Sequence, residues 1–236
     1  MAPLQTFHDS VLAALRLIVT LDPDLVEIVR LSLQVSLVGV GLAALIGLPL
    51  GAALALYQFP GRRAIVLLLE SLMGLPPVAV GLIVYLLLSR SGPMGVLGLL
   101  FTPTAMIVAQ TMLVLPIVAA LAHQFLQDLW REYAEQLNSL GVGPGQALLT
   151  MLWEGRFSLT TAVLAGFGRA SAEVGAVMIV GGNIEHATRT MTTAIALETS
   201  MGNLSLALGL GMLLMLLSLL VNGAAYLIRD LSGRRP

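Results

Sequence analysis

Long apolar stretches alternate with short polar ones along most of this chain. Each of five stretches holds about twenty consecutive residues that are mainly apolar. A helix of that length crosses the roughly 30 Å hydrocarbon core of a bilayer, where a helix also satisfies its own backbone hydrogen bonds. The pattern predicts an all-α polytopic transmembrane bundle with spans near Leu31–Leu56, Ala64–Leu88, Thr102–Ala122, Leu159–Val180 and Leu204–Ile228.

The first thirty residues follow a different pattern. Val11, Leu12 and Leu15 fit one face of a short helix, and Arg16 interrupts the apolar run. Such a segment is too short to span and predicts a helix that lies at the membrane interface. We therefore divide the chain into an interfacial segment (1–30), a membrane domain (31–230) that includes a long loop (123–158), and a tail (231–236).

Composition supports a membrane protein and excludes several functions. Of the 236 residues, 57% are hydrophobic and 11% are charged, and the mean hydropathy is +0.93. A formal net charge of −1 makes nucleic acid an unsuitable partner. The chain has no cysteine, which excludes thiol catalysis and thiolate metal sites, and no lysine, which excludes a phosphate-binding P-loop.

No catalytic or metal-binding cluster is visible in the sequence. His8, His123 and His186 are scattered along the chain, and no paired histidine motif occurs. We therefore expect no catalytic residue, no metal ligand and no cofactor bound by this chain.

The arginines predict an orientation. Basic residues accumulate in short cytoplasmic loops. With the N-terminus outside and the C-terminus inside, the outer side holds four arginines and the cytoplasmic side seven: Arg16, Arg30, Arg90 and Arg189 against Arg62, Arg63, Arg131, Arg156, Arg229, Arg234 and Arg235.

Prolines and glycines mark special positions within the spans. Pro76 and Pro77 must interrupt the second span, because proline lacks the N–H donor and crowds the preceding turn. We weigh helix packing and a functional bend equally for this pair, since broken helices line cavities. Gly47 and Gly51 have the spacing of small residues that let two helices pack closely.

The loop before the fourth span predicts two short helices. Residues Arg131–Leu140 form an amphipathic pattern, and "GVGPG" with Gly141, Gly143, Pro144 and Gly145 should end that helix. A second helix should begin near Gln146. This element on the cytoplasmic face is suited to docking another protein.

Arg169 and Glu173 place two charges inside the fourth span. At a spacing of four residues they would share one face of a continuous helix. A structural or gating ion pair is our preferred interpretation, because a carboxylate exposed beside an anion path would repel the substrate. Direct contact of Arg169 with an anion is the alternative.

Four stretches resemble a known family. The segment "EQLNSLGVGPGQALLTMLWEG" is similar to the loop by which permease subunits of bacterial ABC importers bind their ATPase subunits. Glu135, Gln136, Leu137 and Gly141 match that loop, although Gln136 and Leu137 stand where the family has alanines. The stretches "LPPVAVGLIVYLLLSRSGPMG", "RASAEVGAVMIVGGNI" and "TRTMTTAIALETS" resemble the oxyanion branch, and most of all its tungstate-specific permeases.

The resemblance implies a permease subunit in the inner membrane. It implies a homodimer of this chain, a cytoplasmic ABC ATPase dimer that binds ATP and magnesium, and an extracytoplasmic oxyanion-binding protein. The coupling loop would then include Glu135, Gln136, Leu137, Gly141, Gly143 and Gly145, and the candidate translocation path or gate would include Pro76, Pro77, Arg169, Glu173, Arg189 and Thr192.

Other functions remain open on the residues alone. Hydroxyls and the guanidinium of Arg189 in the outer loop suit any oxyanion, including molybdate and sulfate. A self-contained channel or a proton-coupled carrier could use Arg169 and Glu173 as a relay, but it would not need the long docking loop. A membrane enzyme or an assembly factor would need an active-site cluster that the sequence does not show.

Overall fold

The computed structural model describes residues 11–12, 19–20 and 22–233. These residues contain nine longer α-helices, one 3-10 turn (Gly95–Leu97) and no strand, which confirms the all-α prediction. In chain order the helices are α1 (Pro23–Leu56), α2 (Arg62–Leu72), α3 (Pro77–Leu88), α4 (Pro103–Ser139), α5 (Pro144–Glu154), α6 (Arg156–Ser171), α7 (Gly175–Gly181), α8 (Met191–Met201) and α9 (Leu204–Gly233).

Three of the described helices, α1, α4 and α9, are long and apolar enough to cross a membrane. The number rises to five if the interrupted pairs α2–α3 and α6–α7 each count as one span, which agrees with the predicted five. Helix α1 begins at Pro23 and runs without a break past residue 30, where we placed a boundary. The predicted interfacial helix lies mostly outside the described residues.

The interruption at Pro76 and Pro77 is confirmed. Helix α2 ends at Leu72, and α3 begins with Pro77 at its first position. Proline is tolerated there because the first N–H groups of a helix have no partner inside the helix.

A second interruption was not predicted. The fourth span was expected to be one helix, but α6 ends at Ser171 and α7 begins at Gly175. Glu173 lies in the gap, so the prediction that Arg169 and Glu173 share one helical face is wrong. The four-residue rule applies only inside a continuous helix.

The docking loop contains one separate helix, α5, instead of the two predicted short helices. The amphipathic stretch from Arg131 is the end of α4, which continues unbroken to Ser139. The helix ends just before "GVGPG", as predicted, but Pro144 and Gly145 already form the first turn of α5. Gly141 provides the turn with a left-handed backbone, φ +67°, a conformation that glycine adopts without steric cost.

The chain divides into two compact units. The first comprises Met1–Val38, Pro77–Gln110 and Ser171–Gly223, and the second comprises Gly39–Pro76, Thr111–Ala170 and Ala224–Pro236. In the first unit, Leu25, Met191, Ala194 and Leu210 form a buried cluster. There the hydroxyl of Ser32 accepts a hydrogen bond from the backbone N–H of Met191, 2.7 Å away.

Small residues let α1 and α4 pack closely in the second unit. A Cβ added to Gly51 would lie 2.6 Å from the carbonyl oxygen of Ala119, and one added to Gly47 would lie 3.2 Å from the Ala119 nitrogen. The predicted role of this glycine pair is therefore confirmed. Side chains of α1, α4, α5 and α6 form a buried cluster in the same unit that includes Ala52, Leu126, Met151 and Leu159.

Candidate functional site

The two short helices that follow the interruptions, α3 and α7, pack against each other in the first unit. A Cβ added to Gly81 would lie 2.7 Å from the Cα of Ala176. One turn earlier, a Cβ on Gly175 would lie 2.8 Å from Cγ2 of Val78. Because Val78 and Gly175 stand at the starts of their helices, the N-terminal ends of α3 and α7 lie side by side.

Glu173 stabilises the start of α7. Its Oε1 accepts a hydrogen bond from the backbone N–H of Ala176 at 3.0 Å, and the residue is only 6% exposed. An acidic group there satisfies an N–H that the helix leaves unpaired, and it is favoured by the helix dipole. The Glu173 side chain therefore caps the start of α7.

Thr192 ties the same break to α8. Its hydroxyl donates a hydrogen bond to the backbone carbonyl of Glu173 at 2.8 Å. A buried carbonyl outside a helix needs such a donor, because no water is available in the bilayer core. Glu173 and Thr192 together thus stabilise non-helical backbone between α6 and α7.

Arg169 has a comparable role in the second unit. Its Nη2 donates to the backbone carbonyl of Leu75 at 3.4 Å. Leu75 lies between the end of α2 and Pro76, where no helix supplies a donor for its carbonyl. Arg169 therefore satisfies a backbone acceptor that the proline interruption exposes.

The threonines of the loop between α7 and α8 also have internal partners. Thr188 donates to the carbonyl of Gly181 at 2.5 Å and accepts from the N–H of Ile184 at 2.9 Å. Thr190 and Thr193 form a reciprocal capping box at the start of α8. The hydroxyls that suggested an oxyanion site thus stabilise the loop and the helix start.

Arg189, at the end of that loop, is mostly buried. Its Nη1 lies 3.3 Å from Oε1 of Glu185, and its side chain is 19% exposed. Its buried Nε finds no hydrogen-bond partner among the described residues. Among the described residues of the loop between α7 and α8, Arg189 is therefore the one candidate with an unused buried donor.

His186 belongs to an exposed cluster on the same loop. Its Nδ1 lies 2.8 Å from Oε2 of Glu27, and the hydrogen bond to Glu27 raises the pKa of His186. With Asp24, these residues place three potential metal-ligand atoms within 4.8 Å of one another. Exposed groups of this kind are common without a metal, and the cluster contains no buried ligand.

The predicted docking loop presents an apolar surface beside polar residues. Leu140 is 76% exposed and Trp153 is 67% exposed, whereas Leu137 packs against the buried cluster of the second unit. Glu135 and Gln136 are exposed.

The turn of this loop is attached to the end of α1, because the hydroxyl of Tyr57 donates a hydrogen bond to the carbonyl of Pro144 at 2.9 Å. The loop is a supported surface with space around Gly141, Gly143 and Gly145, where an added Cβ would contact nothing within 4 Å.

No protein-family model matches the chain. The chain is 40% identical to the tungstate uptake system permease protein TupB of Peptoclostridium acidaminophilum over 92% of its own length and 96% of the relative's. It is 41% identical to a probable anion ABC transporter permease protein of Haloferax volcanii, over 87% of this chain and 91% of that one. This chain belongs to the anion ABC transporter permease family. The tungstate permease TupB of Campylobacter jejuni is 40% identical over 93% of the chain and 92% of its own length.

Family membership and the apolar helices together show what kind of protein this is. It is a multi-pass membrane protein and the permease component of an ABC uptake system, not an enzyme. The structure brings Glu173 and Thr192 together and places Pro76 and Pro77 beside the carbonyl bound by Arg169.

The sequence interpretation missed the contact of Gly81 with Ala176 and the capping by Glu173. An acidic residue three positions before Ala176, whose N–H lies in the first turn of α7, was the available signal, and the apolar surroundings of "SAEVGAVMIV" obscured it.

Proposed function

We propose that this chain is the permease subunit of an ATP-driven tungstate importer. Two copies would form the translocation path, and an extracytoplasmic binding protein would deliver the anion. The observation that carries the proposal is the 40% identity to a tungstate permease, which covers nearly the whole of both chains.

The loop between α4 and α6 supports docking on a separate ATPase dimer. It offers exposed Leu140 and Leu149 on a scaffold within the second unit. The chain lacks the lysine of a P-loop, so ATP and magnesium would bind to the partner. ATP-driven closure of the partner would move this loop and favour one of two states of the bundle.

The candidate gating residues lie at two interruptions, one before α3 and one before α7. Broken helices at membrane depth occur where the backbone is buried in protein or lines a cavity. Glu173, Thr192 and Arg169 satisfy the backbone around these breaks. They would act as structural or gating residues, while Arg189 retains the donor capacity for an anion.

Reconstituted liposomes provide the decisive experiment. Tungstate uptake should require the binding protein, the ATPase and ATP, and unlabelled tungstate should compete at lower concentration than molybdate or sulfate. Uptake without the ATPase would instead support a channel or a proton-coupled carrier. Stronger competition by molybdate or sulfate would change the anion but leave the permease function intact.

A further inference from the structure

An open apolar groove lies in the second unit between α1, α5 and α6. Its volume is about 420 Å³, within the roughly 300–1,000 Å³ of typical ligand sites. Its walls are almost entirely apolar, and the one charged lining residue is Arg156; the others include Leu45, Leu48, Leu152, Leu159 and Val163.

The groove runs along α1 toward a helix junction. Its lining on α1 extends from Ala44 to Pro49, which corresponds to about 7.5 Å along the helix axis. Arg156 lies at the other side, where α5 ends and α6 begins. The groove therefore has apolar walls suited to hydrocarbon and one cationic end, formed by Arg156.

The guanidinium of Arg156 is held in place by its neighbours. It lies 4.7 Å from the centroid of the Trp153 ring and 4.5 Å from that of Phe157. Its Nη1 donates to the carbonyl of Trp153 at 2.7 Å. Within the described residues it forms no ion pair with a carboxylate, so its charge and most of its five N–H donors remain available to a ligand.

We propose that this groove binds an anionic phospholipid. One acyl chain lies along the apolar walls, and the headgroup phosphate accepts hydrogen bonds from Arg156. The charge complementarity favours this occupant, because basic pockets between transmembrane helices bind anionic headgroups. The rings of Trp153 and Phe157 suit the interfacial level at which such a headgroup lies.

A second copy of the chain fits the groove less well. In a two-fold dimer the same surface meets itself, and a groove on the two-fold axis would bring two Arg156 side chains together without a lining carboxylate. Like charges at that position oppose association, whereas a phosphate neutralises the arginine.

Native mass spectrometry of the purified full-length chain tests the proposal. Phosphatidylglycerol and phosphatidylcholine are offered to the parent and to Arg156→Gln, with Arg63→Gln as a matched loss of one exposed arginine outside the groove. We expect Arg156→Gln to lower phosphatidylglycerol retention about fivefold and Arg63→Gln to leave it unchanged. Ala44→Phe, which fills the groove, should lower retention of both lipids.

Equal losses in Arg156→Gln and Arg63→Gln would overturn the proposal, since they would indicate general electrostatic adhesion. Equal retention of the two lipids by the parent would overturn it as well. A cysteine at Leu45 gives a third measurement in this cysteine-free chain. Cross-linking of Leu45→Cys between two copies would show that a second copy covers the groove instead.

Discussion

Glu173 and Arg169 each bind backbone groups at a different interruption. Glu173 accepts a hydrogen bond from the Ala176 N–H, whereas Arg169 donates one to the Leu75 carbonyl. The presence of each charged residue in this apolar stretch is therefore explained by its own backbone contact. An ion pair between them is no longer required to explain their presence.

The first prediction concerns the independence of these two residues. Glu173→Ala should destabilise the protein by about 0.5–2 kcal/mol, as the loss of a helix cap does. Glu173→Gln should cost less, because it keeps an oxygen acceptor. The double variant Glu173→Gln with Arg169→Gln should lose as much stability as the two single variants together, to within about 0.5 kcal/mol. Equilibrium unfolding of the four variants measures these free energies. A coupling energy well above about 0.5 kcal/mol would indicate an ion pair between Arg169 and Glu173.

The second prediction concerns pH and His186. The pKa of His186 is raised above 6.5 by its hydrogen bond to Glu27 and by the charges of Glu27, Glu185 and Asp24. A raised pKa in the folded state means that the contact stabilises the loop between α7 and α8 fully below pH 6.5 and loses that effect as pH rises through the folded pKa.

His186→Asn is the suitable variant, because asparagine tolerates the left-handed backbone at this position, φ +56°. Hydrogen exchange of residues 182–190 should be faster in the variant than in the parent at pH 6 and equal in both at high pH. A difference that persists unchanged at high pH would argue against a protonated contact.

At the scale of elements, the contact between α3 and α7 depends on the absence of side chains. The third prediction is that Gly81→Ala destabilises the protein by about 1–3 kcal/mol, because the new methyl group meets the backbone of Ala176. Gly41→Ala is the matched control in a spanning helix, since its Cβ would contact nothing within 4 Å. Equal thermal unfolding of both variants would contradict this packing.

The turn between α4 and α5 gives the fourth prediction. Gly141→Val should cost about 1–2 kcal/mol locally, because a β-branched residue resists φ +67°. Gly141→Asn should cost less, and Gly143→Ser should be neutral, since position 143 is an N-cap with an ordinary backbone.

Co-purification with the ATPase and coupled transport should follow the same order. Gly141→Val should retain the spans but lose partner binding. If it binds the ATPase and transports like Gly143→Ser, then the loop is not the docking site.

At the scale of the whole molecule, the fifth prediction concerns orientation. Ser91 and Ser200 should lie outside and Arg63 inside, and all three positions are exposed. Cysteines placed there should react with an impermeant thiol reagent from outside at Ser91 and Ser200 only. Reaction at Arg63 in intact cells would reverse or reject the five-span topology.

The sequence predicted a large part of this fold for identifiable reasons. Long apolar stretches specify membrane helices, because the bilayer penalises any other backbone there. The proline pair located the first interruption, and the glycine run that begins at Gly141 located the turn between α4 and α5. The second interruption escaped prediction, since a three-residue gap in an apolar stretch changes neither hydropathy nor length.

The sequence by itself determined that the chain lies in a bilayer, that it is helical, that it lacks a P-loop lysine and to which family it belongs. Each of these properties depends on composition or on residue order. Only the tertiary structure decided which groups Arg169, Glu173 and Thr192 bind. It also decided that Gly81 faces Ala176 and that Arg156 borders an apolar groove. These contacts join residues far apart in the chain, and their partners follow from helix packing rather than from spacing along the sequence.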